Sequence, residues 1–285
     1  MTGFASFCDG THTAIRGYYS RNQYRQRSRL AAMTTMQISP LAKVSNKAQL
    51  SNGVSIGDFT IVHDNVIIGR DAVIESHCIL GYPTPLASGQ PLAIGDRARI
   101  RSHCVFYEGS IFGPGLRTGH HVTVREKVRA GIDLQIGTLS DLQGDTEIGD
   151  YVRAHSNVHI GKMTKIGNFV WIFPYTVFTN DPHPPSNIMK GVVVDDYAVI
   201  ATMACLLPGV RVGSRAVVGA HSLVSENVEP DTVVAGVPAK KLCMASDIRM
   251  KDGSGKPAYP WMRHFHRGYP EHIVDAWKTT FGDAK

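Results

Sequence analysis

Every sixth residue from Ile38 onward is aliphatic: Ile38, Val44, Leu50, Ile56, Val62, Ile68, Ile74 and Leu80. The series resumes at Ile94 and runs in step to Phe178, then resumes at Val194 and runs to Val224. Of these 29 positions, 23 are Ile, Leu or Val, residues that make up about 22% of the chain. A chance register would supply roughly six. Four places further on, the residue is small or β-branched, as at Ala42, Ala48, Val54 and Thr60, and later at Ser140, Thr146, Val152 and Val158. Glycine often follows the aliphatic residue, as at Gly57, Gly95, Gly137 and Gly167. A period of six is neither the 3.6 of a helix nor the 2 of a half-buried strand. It predicts short strands joined by turns, each sending one aliphatic side chain inward with a small residue at the corner. Three such units close a triangular coil of about 18 residues, and coils stack at the parallel-strand spacing of about 4.8 Å.

Two breaks interrupt the register, one between Leu80 and Ile94 and one between Phe178 and Val194. Counting units in threes puts both loops at the same corner of the triangle, about five coils apart. Long loops on a regular scaffold are common places for function. Near the end of the chain, residues 270–281 predict a short amphipathic helix. Ile273, Val274, Trp277 and Phe281 share one face, and Glu271 suits the first turn. Its expected role is to cap the open end of the solenoid. The chain therefore divides into an N-terminal extension (1–35), a repeat domain (36–238) and a C-terminal tail with a short helix (239–285).

Charge sharpens this division. The net charge is +6, yet residues 1–32 and 240–285 each carry +4, which leaves −2 on the repeat domain. Basicity confined to the ends does not mark the main body as a nucleic-acid binder. The extension has five arginines, one acid and no hexad, a composition that predicts disorder. No apolar stretch reaches the ~18 residues of a membrane span, and the N-terminus lacks the apolar core of a secretory signal. Five cysteines without a CxxC pair argue against a disulfide framework or zinc knuckle and fit a reducing cytoplasm.

The repeat over residues 36–238 is identified as the hexapeptide pattern of the left-handed parallel β-helix. That resemblance implies an all-β fold of nearly ten coils, with two loop insertions and a short helical C-terminal tail. Residues 153–161 (Arg-Ala-His-Ser-Asn-Val-His-Ile-Gly) and 171–181 (Trp-Ile-Phe-Pro-Tyr-Thr-Val-Phe-Thr-Asn-Asp) resemble the nucleotide-sugar N-acyltransferases, as does the run 118–126. These enzymes acetylate amino-deoxy sugars destined for surface polysaccharides. Residues 226–240 resemble the segment that closes the helix in hexapeptide acyltransferases. The resemblance implies acetyl-CoA as donor, lying against the later coils near Ala201 and Ala220, with Lys240 and Lys241 meeting its phosphates. It implies no metal.

Residues 18 apart stand one above another, so His103, His121, Leu139, Asn157 and Tyr175 form a column at one corner. His155 and His159 flank it, and Asp141 lies one coil from His159. Acyl transfer to an amine calls for a base to take the amine proton, a role imidazole fills near neutral pH. His121, His155 and His159 are the candidates, with Asp141 placed to fix the tautomer of His159. Asn157 would orient the amine or the sugar, and Asn180, Asp181, His183 and Tyr175 would bind the sugar. A polar column at one corner and loops at another are two halves of a site, which predicts a homotrimer that joins them. Three other readings stay open: transfer to a sugar hydroxyl, a metal hydrolyase of the γ-carbonic-anhydrase type using His121, His155 and His159, and a non-catalytic structural subunit.

Overall fold

A computed structural model describes residues 35–282. The expected basic extension lies, but for its last residue, outside them. Residues 37–224 form 29 strands of two to four residues, and each of the 29 register positions falls in one of them. The strands are parallel and sort by threes into three sheets, the flat faces of a triangular solenoid. On the first face Gln37–Ile38 pairs with Ser55–Ile56. On the second, Lys43–Val44 pairs with Ile61–Val62. On the third, Gln49–Leu50 pairs with Val66–Ile68. The aliphatic positions fill one continuous core along the axis. Ile38 is 41% exposed because it belongs to the first described coil, whose inner surface is packed from one side only.

The corners turn through residues with φ near +60°, such as His121, Asn157 and Tyr175. Such conformations are uncommon for residues with a side chain, and Asn, Asp and His are enriched among those that adopt them. Glycine is demanded elsewhere. A Cβ on Gly137 would stand 2.3 Å from backbone atoms of His155 and Ser156 in the next coil, so only glycine lets these coils stack. Both register breaks are loops from the second face to the third, between Ile79–Tyr82 and Leu92–Ile94 and between Val177–Phe178 and Val193–Val194. They share one corner, as the count in threes predicts.

After the last coil, Thr232–Gly236 adds to the first face and Ala239–Met244 turns back antiparallel along its edge. The helix Glu271–Phe281 forms where the periodicity predicts, with Val274 and Trp277 buried. It does not cap an end of the solenoid. It docks on the flank, where Trp261, Met262 and Trp277 pack on Val199, Val217 and Val233 of the first face. The cause is visible along that face. Its outward positions are polar in the middle coils (Arg99, Arg117, Gln135) and apolar in the late ones (Trp171, Val199, Val217, Val233), so the late coils need cover. The tail also meets a corner column of stacked rings, Tyr151, Phe169 and Tyr197, spaced 5.1 and 5.0 Å. Buried Arg153 joins Asp133 at 2.8 Å and lies over the Tyr269 ring at 5.2 Å.

Candidate active site

The second face carries the densest chemistry. Its outward positions are mostly apolar and half-buried (Ile61, Ile79, Val105, Val177, Leu223), with Asp141 and His159 set among them. Asp141 and His159 are direct partners in the parallel ladder. His159 Nδ1 lies 3.1 Å from Asp141 Oδ2, and Gln143 Nε2 donates to the same oxygen at 2.6 Å. Partial burial alone would raise the Asp141 pKa. Hydrogen bonds from His159 and Gln143, with the nearby charges of His159 and Arg125, bring it below the ordinary carboxylate value instead. In the neutral ring, an ionised carboxylate at Nδ1 holds the one proton there and leaves Nε2 with a lone pair, the form a general base needs.

His159 lies under Val177, two residues before Thr179 opens the second loop. The loop is closed by Lys190 N–H donating to Asn180 O at 2.8 Å. Within it Asp181 is an organiser. Its carboxylate accepts from the backbone N–H of His183 at 2.9 Å and of Ser186 at 2.7 Å, and from Ser186 Oγ at 2.6 Å. The Ser186 hydroxyl, first among these, holds the Asp181 pKa down. His183 stays exposed on the loop surface.

The corner column forms as the 18-residue spacing predicts, with Asn157 half-buried and Tyr175 exposed. Toward the early coils it is a stack of rings, Phe59, His77, His103 and His121, with centroids 5.0, 4.8 and 4.7 Å apart. His155 and His159 do flank this corner, but from different faces. His155 follows a first-face strand and stacks on Phe173 at 4.7 Å, beside Trp171. Its chemistry is therefore separated from the Asp141–His159 pair within one chain. Ala201 continues the column of His155 and Phe173, and Ala220 follows at the same corner one coil on. The Ala201 N–H is spent within the ladder on Val218 O at 2.9 Å. Lys240 and Lys241 project from the closing hairpin, and Lys240 Nζ reaches Glu226 at 3.4 Å.

Burial lowers the pKa of His155. The unfolded chain, with an ordinary value of about 6.5, then takes up the proton first as pH falls. The stabilisation from a neutral buried ring is whole above that pH and is lost below it. His155→Phe keeps the stack without the titration. Its Tm is expected to drop less than wild type between pH 7.5 and 5.5; an equal drop would mean that other groups, such as the similarly lowered His103, carry the effect.

Sequence reasoning missed Gln143, together with Tyr107 and Arg125. The signal was present, since the three stand 18 residues apart at outward positions. Among the described residues, no three His, Cys, Asp or Glu side chains are grouped to hold a metal ion, and no helix is long and apolar enough to cross a membrane.

No family model matches the chain. It is 34% identical over 93 residues to a 2,3,4,5-tetrahydropyridine-2,6-dicarboxylate N-acetyltransferase of Staphylococcus aureus strain bovine RF122 / ET3-1. That match spans 33% of this chain and 33% of the relative, so the chain covers about a third of the length of the curated relatives it matches. The fold resembles that of the UDP-N-acetylglucosamine acyltransferase of Arabidopsis, at 19% identity, 73% and 74% coverage and a TM-score of 0.53. It also resembles the enzyme of that name from Campylobacter jejuni, at 20% identity, 87% and 86% coverage and a TM-score of 0.51.

Proposed function

We propose that this hexapeptide-repeat protein, whose relatives are acyltransferases, moves an acyl group from coenzyme A to the amine of a nucleotide-linked amino-deoxy sugar. The observation that carries the reading is the Asp141–His159 pair beside the second loop. His159 Nε2 takes a proton from the attacking amine as its nitrogen bonds to the thioester carbon. The tetrahedral intermediate collapses by breaking the carbon–sulfur bond, and the thiolate regains a proton, giving an amide and free coenzyme A. Asn157 and Tyr175 at the corner, and Asn180 and His183 in the second loop, are the groups assigned to orient the sugar. Ala201, Ala220, Lys240 and Lys241 mark the coenzyme track along the later coils.

Acetyl is the expected acyl group, and the product belongs to polysaccharide biosynthesis. Release of coenzyme A thiol from acetyl-CoA, followed with a panel of amino-sugar nucleotides and the matching hydroxyl sugars, tests both donor and acceptor. Thiol release with the hydroxyl sugars but not with the amines would replace N-acylation by O-acylation. No release with any acceptor would leave a non-catalytic subunit.

The apolar outward positions of the second face favour a trimer, in which a neighbour covers them and completes the site at the boundary. Sedimentation equilibrium at micromolar concentration is expected to give three times the 31.1 kDa chain mass. A monomer would remove the shared site.

A further inference from the structure

We infer that the second face carries a nucleoside-diphosphate subsite, a rail of side chains running from the Asp141–His159 pair through Gln143 and Arg125 to Tyr107 and Tyr82. It deepens the reading above and rests on it, since a nucleotide-linked acceptor has a flat base and a diphosphate remote from its reacting amine. The rail is continuous. Gln143 touches Asp141 at 2.6 Å. One coil down, the Arg125 guanidinium lies 5.0 Å from the centre of the Tyr107 ring. The Tyr107 ring is in turn 5.0 Å from that of Tyr82.

Each member has the chemistry its place requires. Arg125 points Nε and Nη2 at the buried Glu126 carboxylate, at 3.0 and 3.5 Å. A guanidinium has five N–H donors, so this pairing fixes its plane and leaves the Nη1 donors for a phosphate oxygen. Tyr107 is clamped between Arg125 and Tyr82, which makes it a support for the platform. Tyr82 is 44% exposed, with Tyr107 on one side and the His63 ring edge-to-face at 6.3 Å, and it offers the exposed aromatic surface of the rail. Stacking on such a face is the sequence-tolerant way to hold a base.

The spacing fits as well. Arg125 lies two coils from His159 and Tyr82 four, or about 10 and 19 Å along the axis. A sugar fills the first interval, and the rest of the nucleotide fills the second. The two loops leave the same corner at opposite ends of this rail, which sets the reacting amine beside the second loop and the base beside the first.

Coenzyme A also contains a nucleoside diphosphate, so the test separates the two sources. Full-length protein is titrated calorimetrically with UDP, GDP, dTDP, pyrophosphate, ADP and coenzyme A, in wild type, Tyr82→Ala and Tyr82→Phe. At least one of UDP, GDP and dTDP is expected to bind more tightly than pyrophosphate. Tyr82→Ala should weaken it roughly ten- to a hundredfold, Tyr82→Phe should restore it, and coenzyme A affinity should stay unchanged. Equal affinity in Tyr82→Ala, or no binding of any of the three, overturns the subsite even if amines are acylated. A loss confined to ADP and coenzyme A also overturns it and gives the rail to the donor. Intact, Tyr82-dependent nucleotide binding without transfer to any amine keeps the subsite and removes the N-acyltransferase reading.

Discussion

His159→Asn is expected to lower kcat by roughly 10²–10⁴-fold with a modest change in KM, because it removes the proposed base and leaves the proposed binding surfaces in place. Asp141→Asn should follow in the same direction. An amide at that position no longer favours the proton on Nδ1, and His159 then loses the Nε2 lone pair that accepts the amine proton. Gln143→Leu removes only the bond that steadies Asp141 Oδ2, so its loss should be smaller. His155→Asn, on the other side of the corner, should cost less than about tenfold. There is a definite rival to this scheme. The amine arrives neutral and passes its proton directly to the departing sulfur. Steady-state kinetics decide between them: if His121, His155 and His159 each tolerate Asn with less than a tenfold loss of kcat, no protein base operates and the rival stands.

The second large effect is on stability. Trp277 is 3% exposed and meets Phe169, Trp261 and Tyr269 at centroid distances of 5.2, 5.3 and 4.8 Å. Removing a buried indole typically costs about 3–5 kcal/mol, combining lost transfer energy with the cavity left behind. Trp277→Ala should therefore release the tail from the first face. The solenoid core is a separate cluster of buried side chains and should persist. Near-UV circular dichroism is expected to lose the aromatic signal at a lower temperature than far-UV dichroism loses the strand signal. A single coincident transition shifted as a whole would mean that tail and coils fold as one unit.

Much of this protein is legible in the sequence because a solenoid converts sequence distance directly into space. A hexad fixes which side chain points inward, three hexads fix a coil, and the ladder forbids slippage without exposing the aliphatic row. For that reason the 29 strands, the shared corner of both loops, the Asn157 column and the Asp141–His159 pairing all follow from counting. Counting does not decide where side chains go once they leave the ladder. It places His155 and His159 on either side of one corner, but only the tertiary structure shows them on different faces, one stacked on Phe173 and the other paired with a carboxylate. Likewise the helix Glu271–Phe281 has a clear apolar face in the sequence, while its docking site depends on which coils lack polar cover. The partners of Asp181 and Gln143 are of the same kind: short-range hydrogen bonds set by loop closure and rotamer, for which a repeat has no rule.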